Sequence, residues 1–197
     1  NAISEEHLDP TIITGLTALG ATPADTDELL ISDAGTLKRV DFSHLKVSNT
    51  PSFCAYRDYS NGGYQSISNN SFTKAQYNAE YWDTNNDFDK DTNYRFTVSV
   101  AGKYHIGAYI IMDNTGDQSY LRVSIYKNGS ETNPNAQGLN GISESSGTTP
   151  HQCNVTTNID CAVGDYFEVY IKHNHGSSRD WRTEYGNVFY AYKLIGV

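Results

Sequence analysis

The run Tyr94-Arg95-Phe96-Thr97-Val98-Ser99-Val100-Ala101-Gly102-Lys103-Tyr104-His105-Ile106 sets two alternating segments on either side of Ala101-Gly102. Phe96, Val98 and Val100 share one face of the first segment; Tyr104 and Ile106 share one face of the second. Successive side chains of an extended chain point to opposite faces, so period-two alternation marks a half-buried antiparallel strand. The run is therefore read as a strand, a tight turn and a second strand, one β-hairpin.

Outward from it, residues 49–197 read as short strands separated by Gly, Asn and Asp turns. They are expected near 52–58, 64–68, 71–77, 94–100, 103–112, 119–127, 153–160, 165–173 and 186–196. Short strands at this spacing indicate a sandwich or jelly roll. Composition agrees. Hydrophobic residues make up 38% and charged residues only 19%, with 15 tyrosines and a single methionine. Aromatic and β-branched residues pack well on a pleated surface.

The central run also resembles the signature of the C1q/TNF-like jelly-roll family: a phenylalanine strand, a glycine turn, then Gly-x-Tyr at Gly102-Lys103-Tyr104. Other runs resemble that family in the same order. They are Pro51-Ser52-Phe53-Cys54-Ala55-Tyr56, Asn85-Asn86-Asp87-Phe88-Asp89, Leu121 to Gly129 with its Lys127-Asn128-Gly129 end, Ala162-Val163-Gly164-Asp165-Tyr166-Phe167, and Val188 to Leu194. Arg95 and Ser99-Val100 depart from the glycine and proline common in the family, and no collagen-like Gly-X-Y precedes the domain. The resemblance implies an all-β, ten-strand jelly-roll sandwich, a homotrimer and a binding role rather than catalysis. It also implies that Phe96, Tyr104, Ile106, Phe189 and Tyr192 serve the core or the trimer contact.

Residues 1–48 differ in kind. They hold one aromatic residue, Phe42, and eight acids against Lys38, Arg39 and Lys46. Ser48-Asn49-Thr50-Pro51 reads as a linker. Within the segment, Glu5 to Leu19 loosely fits one helical face. Glu28–Ser32 and Leu37–Val40 flank an Asp33-Ala34-Gly35-Thr36 turn and form a small hairpin. A lone hairpin is marginal in water, so it needs copies of itself or a neighbouring domain. The stretch Leu19 to Leu45, with its Pro23-Ala24-Asp25-Thr26-Asp27 turn, Leu30-Ile31-Ser32-Asp33 and Leu37-Lys38-Arg39, resembles a recurrent element of bacteriophage virion proteins. That likeness implies a virion location, with residues 1–48 as a stalk that docks other virion proteins.

Several functions are disfavoured. A net charge of −9 opposes binding to nucleic-acid phosphates. No run approaches the ~18 apolar residues of a membrane span. The chain begins at Asn1 with no basic and apolar leader, which reads as a piece of a longer or processed product. Cys54, Cys153 and Cys161 are odd in number, and a strand between the last two spans roughly 26 Å, beyond disulfide reach. They read as buried thiols. No Gly-x-Ser-x-Gly elbow, Walker loop or His-Glu-x-x-His pair occurs, so no catalytic residue is assigned. Asn69, Asn128 and Asn154 match the glycosylation pattern, as chance allows in an Asn/Ser/Thr-rich chain.

Three candidate sites remain. Asp87, Asp89 and Asp91, with Asp83 nearby, alternate in a way that suggests oxygen ligands for calcium, although the EF-hand glycine and glutamate positions hold Thr92 and Val98; a solvated acidic loop is the plainer reading. His173 and His175 lack the further ligands zinc requires and read as loop residues. Trp181 and Tyr185, with Arg179 and Arg182, form a candidate receptor-binding cluster for a host-surface glycan or protein. Trp82, Tyr59 and Tyr64 extend that surface; the alternative is that both tryptophans plug the sandwich. The leading expectation is a trimeric phage fibre or spike head. Capsid decoration and a polysaccharide-binding or depolymerising module are the alternatives.

Overall fold

A computed structural model describes residues 17–46, 49–112, 120–131, 137–140, 151–181 and 186–195. The chain divides into two compact units, Asn1–Ser48 and Asn49–Val197. The helix expected over Glu5 to Leu19 falls almost wholly outside the described residues, and Thr17–Leu19 are not helical.

In the first unit, β1 (Glu28–Asp33) pairs antiparallel with β2 (Thr36–Asp41). Ala34 and Gly35 join them with φ of 49° and 84°. Positive φ at both central residues defines the turn whose twist matches the strands. A 3-10 turn at Phe42–Leu45 follows, tied back by a Phe42 N–H donating to Asp27 O at 2.7 Å. Every residue of β1 is exposed, Leu30 at 73%.

The second unit is an all-β jelly-roll sandwich. Its strands are β3 (Ser52–Tyr56), β4 (Gln65–Ile67), β5 (Thr73–Lys74), β6 (Ala79–Asp83), β7 (Phe88–Asp89), β8 (Arg95–Thr97), β9 (Gly102–Met112), β10 (Leu121–Lys127), β11 (Ser130–Glu131), β12 (Gln137–Asn140), β13 (His151–Cys161), β14 (Tyr166–His173), β15 (Arg179–Trp181) and β16 (Val188–Lys193). One sheet runs β6-β3-β16-β9-β13, with β15 meeting the end of β9 and β4 beside it. The other runs β7-β8-β14-β10, with β11 and β12 beside β10 and β5 beside β14. At β10–β11 the loop is Asn128-Gly129, again with φ positive at both residues.

The central run is not a hairpin. β8 pairs with β14 and β7, whereas β9 pairs with β13 and β16. The Ala101-Gly102 turn carries the chain from one sheet to the other. Phe96 and Tyr104 consequently face each other through the core, with ring centroids 5.7 Å apart. Tyr104 closes the turn by donating its hydroxyl to Val100 O at 2.6 Å. Val100, expected beside Phe96 and Val98, is exposed instead, because the strand has ended at Thr97.

An aromatic cluster fills the sandwich. Phe53 stacks on Phe96 at 4.7 Å and on Phe88 at 5.0 Å, and meets Phe189 edge-on at 5.0 Å. Phe96, Tyr104, Ile106 and Phe189 are fully buried here, so of the residues expected at the core or trimer contact these four belong to the core. Burial of each such side chain is worth about 1.5–3 kcal/mol. Cys54, Cys153 and Cys161 are buried cysteines outside any disulfide.

Candidate functional site

Among the described residues, a partly exposed aromatic surface lies on the outer face of the β6-β3-β16-β9-β13 sheet. Alternation along β16 sends Phe189 and Ala191 inward and Tyr190 and Tyr192 outward. On β9, Tyr104, Ile106 and Ala108 point inward, which leaves His105, Gly107 and Tyr109 outside. His105 lies between the two tyrosines, its ring centroid 5.9 Å from Tyr190 and 5.2 Å from Tyr192. Its Nδ1–H donates to Asn158 Oδ1 at 2.8 Å, across the β9–β13 register. Tyr190 packs over Gly107, its register partner on β9.

The same face continues to the sheet edge. Trp82 pairs with Cys54 and is 53% exposed. A shift in register between Cys54 and Ala55 lets Tyr81 stack on Tyr56 at 4.3 Å. Phe53, Cys54, Trp82, Tyr190, Ala191 and Tyr192 line a shallow hollow of about 430 Å³. Scattered exposed apolar residues are ordinary, but a contiguous aromatic patch marks a contact surface. Burial pushes the Tyr190 phenol and the Cys54 thiol upward, the latter to about 11. Both are neutral near pH 7, and the patch carries no charge from them.

Trp181, the centre of the expected receptor cluster, is not at the surface. Trp181 is fully buried and meets Tyr77 edge-on at 4.9 Å. β15 pairs with β4 and touches Met112 on β9, so the indole plugs the sandwich. Arg179 is half-buried and donates to His175. Arg182 and Tyr185 lie outside the described residues.

Tyr59 and Tyr64 are exposed and adjacent, with ring centroids at 4.6 Å. Their loop is rigidly built. Buried Arg57 donates to Gly63 O at 2.7 Å and Gln76 O at 2.9 Å, and Asn78 bonds both Asp58 and Asn61. Two tyrosines on such a loop form a preorganised contact pair.

The acidic run lines an open depression of about 510 Å³, but its carboxylates take separate partners. Asp89 accepts from the Asp91 and Thr92 N–H groups and from Asn93, which holds its carboxyl below the usual range. Asp87 accepts from Ser99 at 2.6 Å, and its carboxyl is raised by burial. Asp83 caps Phe88 N–H and Asp91 pairs with Lys90. Among the described residues no three His, Cys, Asp or Glu side chains are grouped as a metal would need. Each of these carboxylates is thus held by partners close in sequence or across the turn. His173, read as a loop residue, is the buried last residue of β14.

No family model and no curated protein matches the sequence of this chain. Among solved structures, the globular domain of zebrafish complement 1qA protein matches with a TM-score of 0.50 at 16% identity, over 73% of this chain and 96% of that one. Murine APRIL matches with a TM-score of 0.51 at 12% identity, over 73% and 98%. At such identities the likeness is one of fold: the chain carries the C1q/TNF jelly roll.

Proposed function

We propose that this chain is a non-enzymatic, homotrimeric virion protein of a bacteriophage, a fibre or spike head that attaches to the host surface. Residues 49–197 are the head and residues 1–48 the segment that docks other virion proteins. The observation that carries the trimer is the outer aromatic face around Tyr190, Tyr192, His105 and Trp82. Covering it with the same face of further copies yields about 25 cal/mol per Å² of apolar surface removed from water. The jelly-roll fold supports that arrangement.

The phage assignment is supported by the sequence of the first unit, from Pro23 to Arg39. Its hairpin exposes Leu29, Leu30, Ile31 and Leu37, apolar surface that a docking partner would cover. Receptor contact falls to loops on the rigid sandwich, with the Tyr59–Tyr64 pair the best prepared for it.

Two experiments test this reading. Sedimentation of the purified chain at low micromolar concentration is expected to give a trimer; a stable monomer would remove the trimer. Density in an intact virion is expected at a tail or fibre tip. Density on the capsid shell would favour decoration, and release of oligosaccharides from host polysaccharide would replace binding with depolymerisation.

A further inference from the structure

His173 and His175 are each used as a hydrogen-bond acceptor, a role that protonation abolishes. His173 is fully buried at the end of β14. Its Nε2 faces Ile67 O at 3.0 Å, and its Nδ1 faces the His175 N–H at 3.3 Å. A carbonyl on one side and an N–H on the other are both satisfied only by the neutral Nε2–H tautomer. His175 uses its own Nε2 to accept from the Arg179 guanidinium. Arg179 Nε is buried without an acceptor, and no carboxylate among the described residues pairs with this arginine.

The segment from His173 to Arg179 clasps its neighbours through the same few bonds. Gly176 N–H donates to Asn69 Oδ1 at 2.8 Å, and Asn70 N–H donates to His173 O at 2.6 Å. Tyr120 N–H donates to Asn174 Oδ1 at 2.6 Å, and the Tyr120 hydroxyl reaches Asn70. Residues 67–70 and Tyr120 are thus bonded to the stretch that carries the two neutral imidazoles.

Among the described residues, the charges that act on His175 oppose an added proton. Arg179 and His173 act on His175, and so does buried His151 at the start of β13. Lys172 of β14 and Arg122 of β10 stack on Phe72, and Arg122 pairs with Glu131. Asp180 is exposed and alternates with Arg179 and Trp181 along β15, so it points away. Residues 65–70, on and after β4, include no ionisable side chain.

We propose that this network is an acid-released latch: protonation of His173 and His175 opens the 173–179 segment and frees the loops that it clasps. A proton on His173 Nδ1 sets N–H against the His175 N–H. A proton on His175 Nε2 sets imidazolium against guanidinium, a repulsion strengthened by partial burial. Burial first, and then Arg179, holds the pKa of His175 below the ordinary histidine value; burial does the same for His173. The open segment binds protons near the ordinary value of about 6.5. The latch is therefore closed above that pH and lost as pH falls below it.

Amide hydrogen exchange on the full chain tests this, compared at pH 7.5 and pH 5.0 after correction for intrinsic rates. Opening at the Asn70, His175 and Gly176 amides is expected to rise on the order of tenfold or more, with no such rise at Ile106 or Ala108 in β9. In His175→Gln the amide oxygen still accepts from Arg179 but takes no proton, so the rise is expected to shrink. No rise in the parent, or an equal rise in the variant, overturns the latch. If the variant fails to fold, imidazole titration of the parent decides: both rings must titrate below about 6.5, and an ordinary midpoint at either overturns it.

Discussion

Gly107 on β9 and Tyr190 on β16 are register partners, and the phenol of Tyr190 occupies the space a side chain at Gly107 would take. A β-carbon there would fall 2.5 Å from Tyr190 Cζ and closer still to its hydroxyl. The absence of a side chain lets the ring lie down along the sheet. The colliding atoms are the far end of a side chain on an outer face, so Gly107→Ala is expected to displace Tyr190 and to change the stability of the single subunit by no more than about 1 kcal/mol. The proposed trimer contact is altered more: its dissociation constant is expected to rise at least about tenfold, the equivalent of 1.4 kcal/mol, read by sedimentation equilibrium. Unchanged association would take Tyr190 out of the contact.

Trp181 carries the opposite expectation from a surface aromatic residue. Its indole is fully buried against Tyr77, so Trp181→Ala leaves a cavity and is expected to cost about 3–5 kcal/mol. Urea denaturation reads this directly. A loss below about 1 kcal/mol would place the indole at the surface after all.

Asp165 anchors the turn before β14. It pairs with Lys127 at 2.6 Å and accepts from Asn128 at 2.8 Å and from Ala162 N–H at 2.9 Å. Lys127 first, then Asn128, holds its carboxyl down at about 2. A depressed carboxylate stabilises fully above its unfolded value of about 3.9 and ceases to do so as pH falls through the folded one. Asp165→Asn is expected to be less stable than the parent at pH 6, with the gap closing between pH 4 and pH 2. A gap independent of pH would mean that the charge contributes nothing.

Burial pushes the thiols of Cys54 and Cys161 up to about 11. The thiolate is the reactive form. Iodoacetamide at pH 8 is expected to label neither in the native protein and all three cysteines in denaturant, counted by intact mass. Rapid native labelling of Cys54 would show the hollow beside Trp82 to be open to reagents.

The carboxylates of Asp83, Asp87, Asp89 and Asp91 already have local partners. Neither calcium nor EDTA is expected to change the melting temperature. A calcium-dependent rise would mean that these turns rearrange to share a ligand.

Much of the fold was legible because strand alternation and turn chemistry are local. The strands at 103–112, 165–173 and 186–196 appear almost where expected, and Ala34-Gly35 and Asn128-Gly129 turn as their residue types require. The short strands β6, β7, β11, β12 and β15 were missed. Strands of two to five residues leave little periodic signal. The site was less legible. Trp181 sits among charged residues in sequence, yet pairing with β4 turns its indole inward. Tyr190 and Tyr192 alternate with Phe189 and Ala191, and that pattern is visible in the chain.

The sequence by itself determined the strands, their two-faced character, the tight turns and the aromatic-poor first unit, since each depends on neighbours a few residues away. Only the tertiary structure decided which face of each strand is covered and which strands pair. The run from Phe96 to Tyr104 reads equally well as a hairpin or as a crossing between sheets. Packing chose the crossing, because there both rings are buried against each other and Phe96 also packs on Phe53 and Phe167, whereas a hairpin would need a second sheet from elsewhere to cover them. The same choice leaves Tyr190, Tyr192 and His105 on the outside, where a partner can reach them.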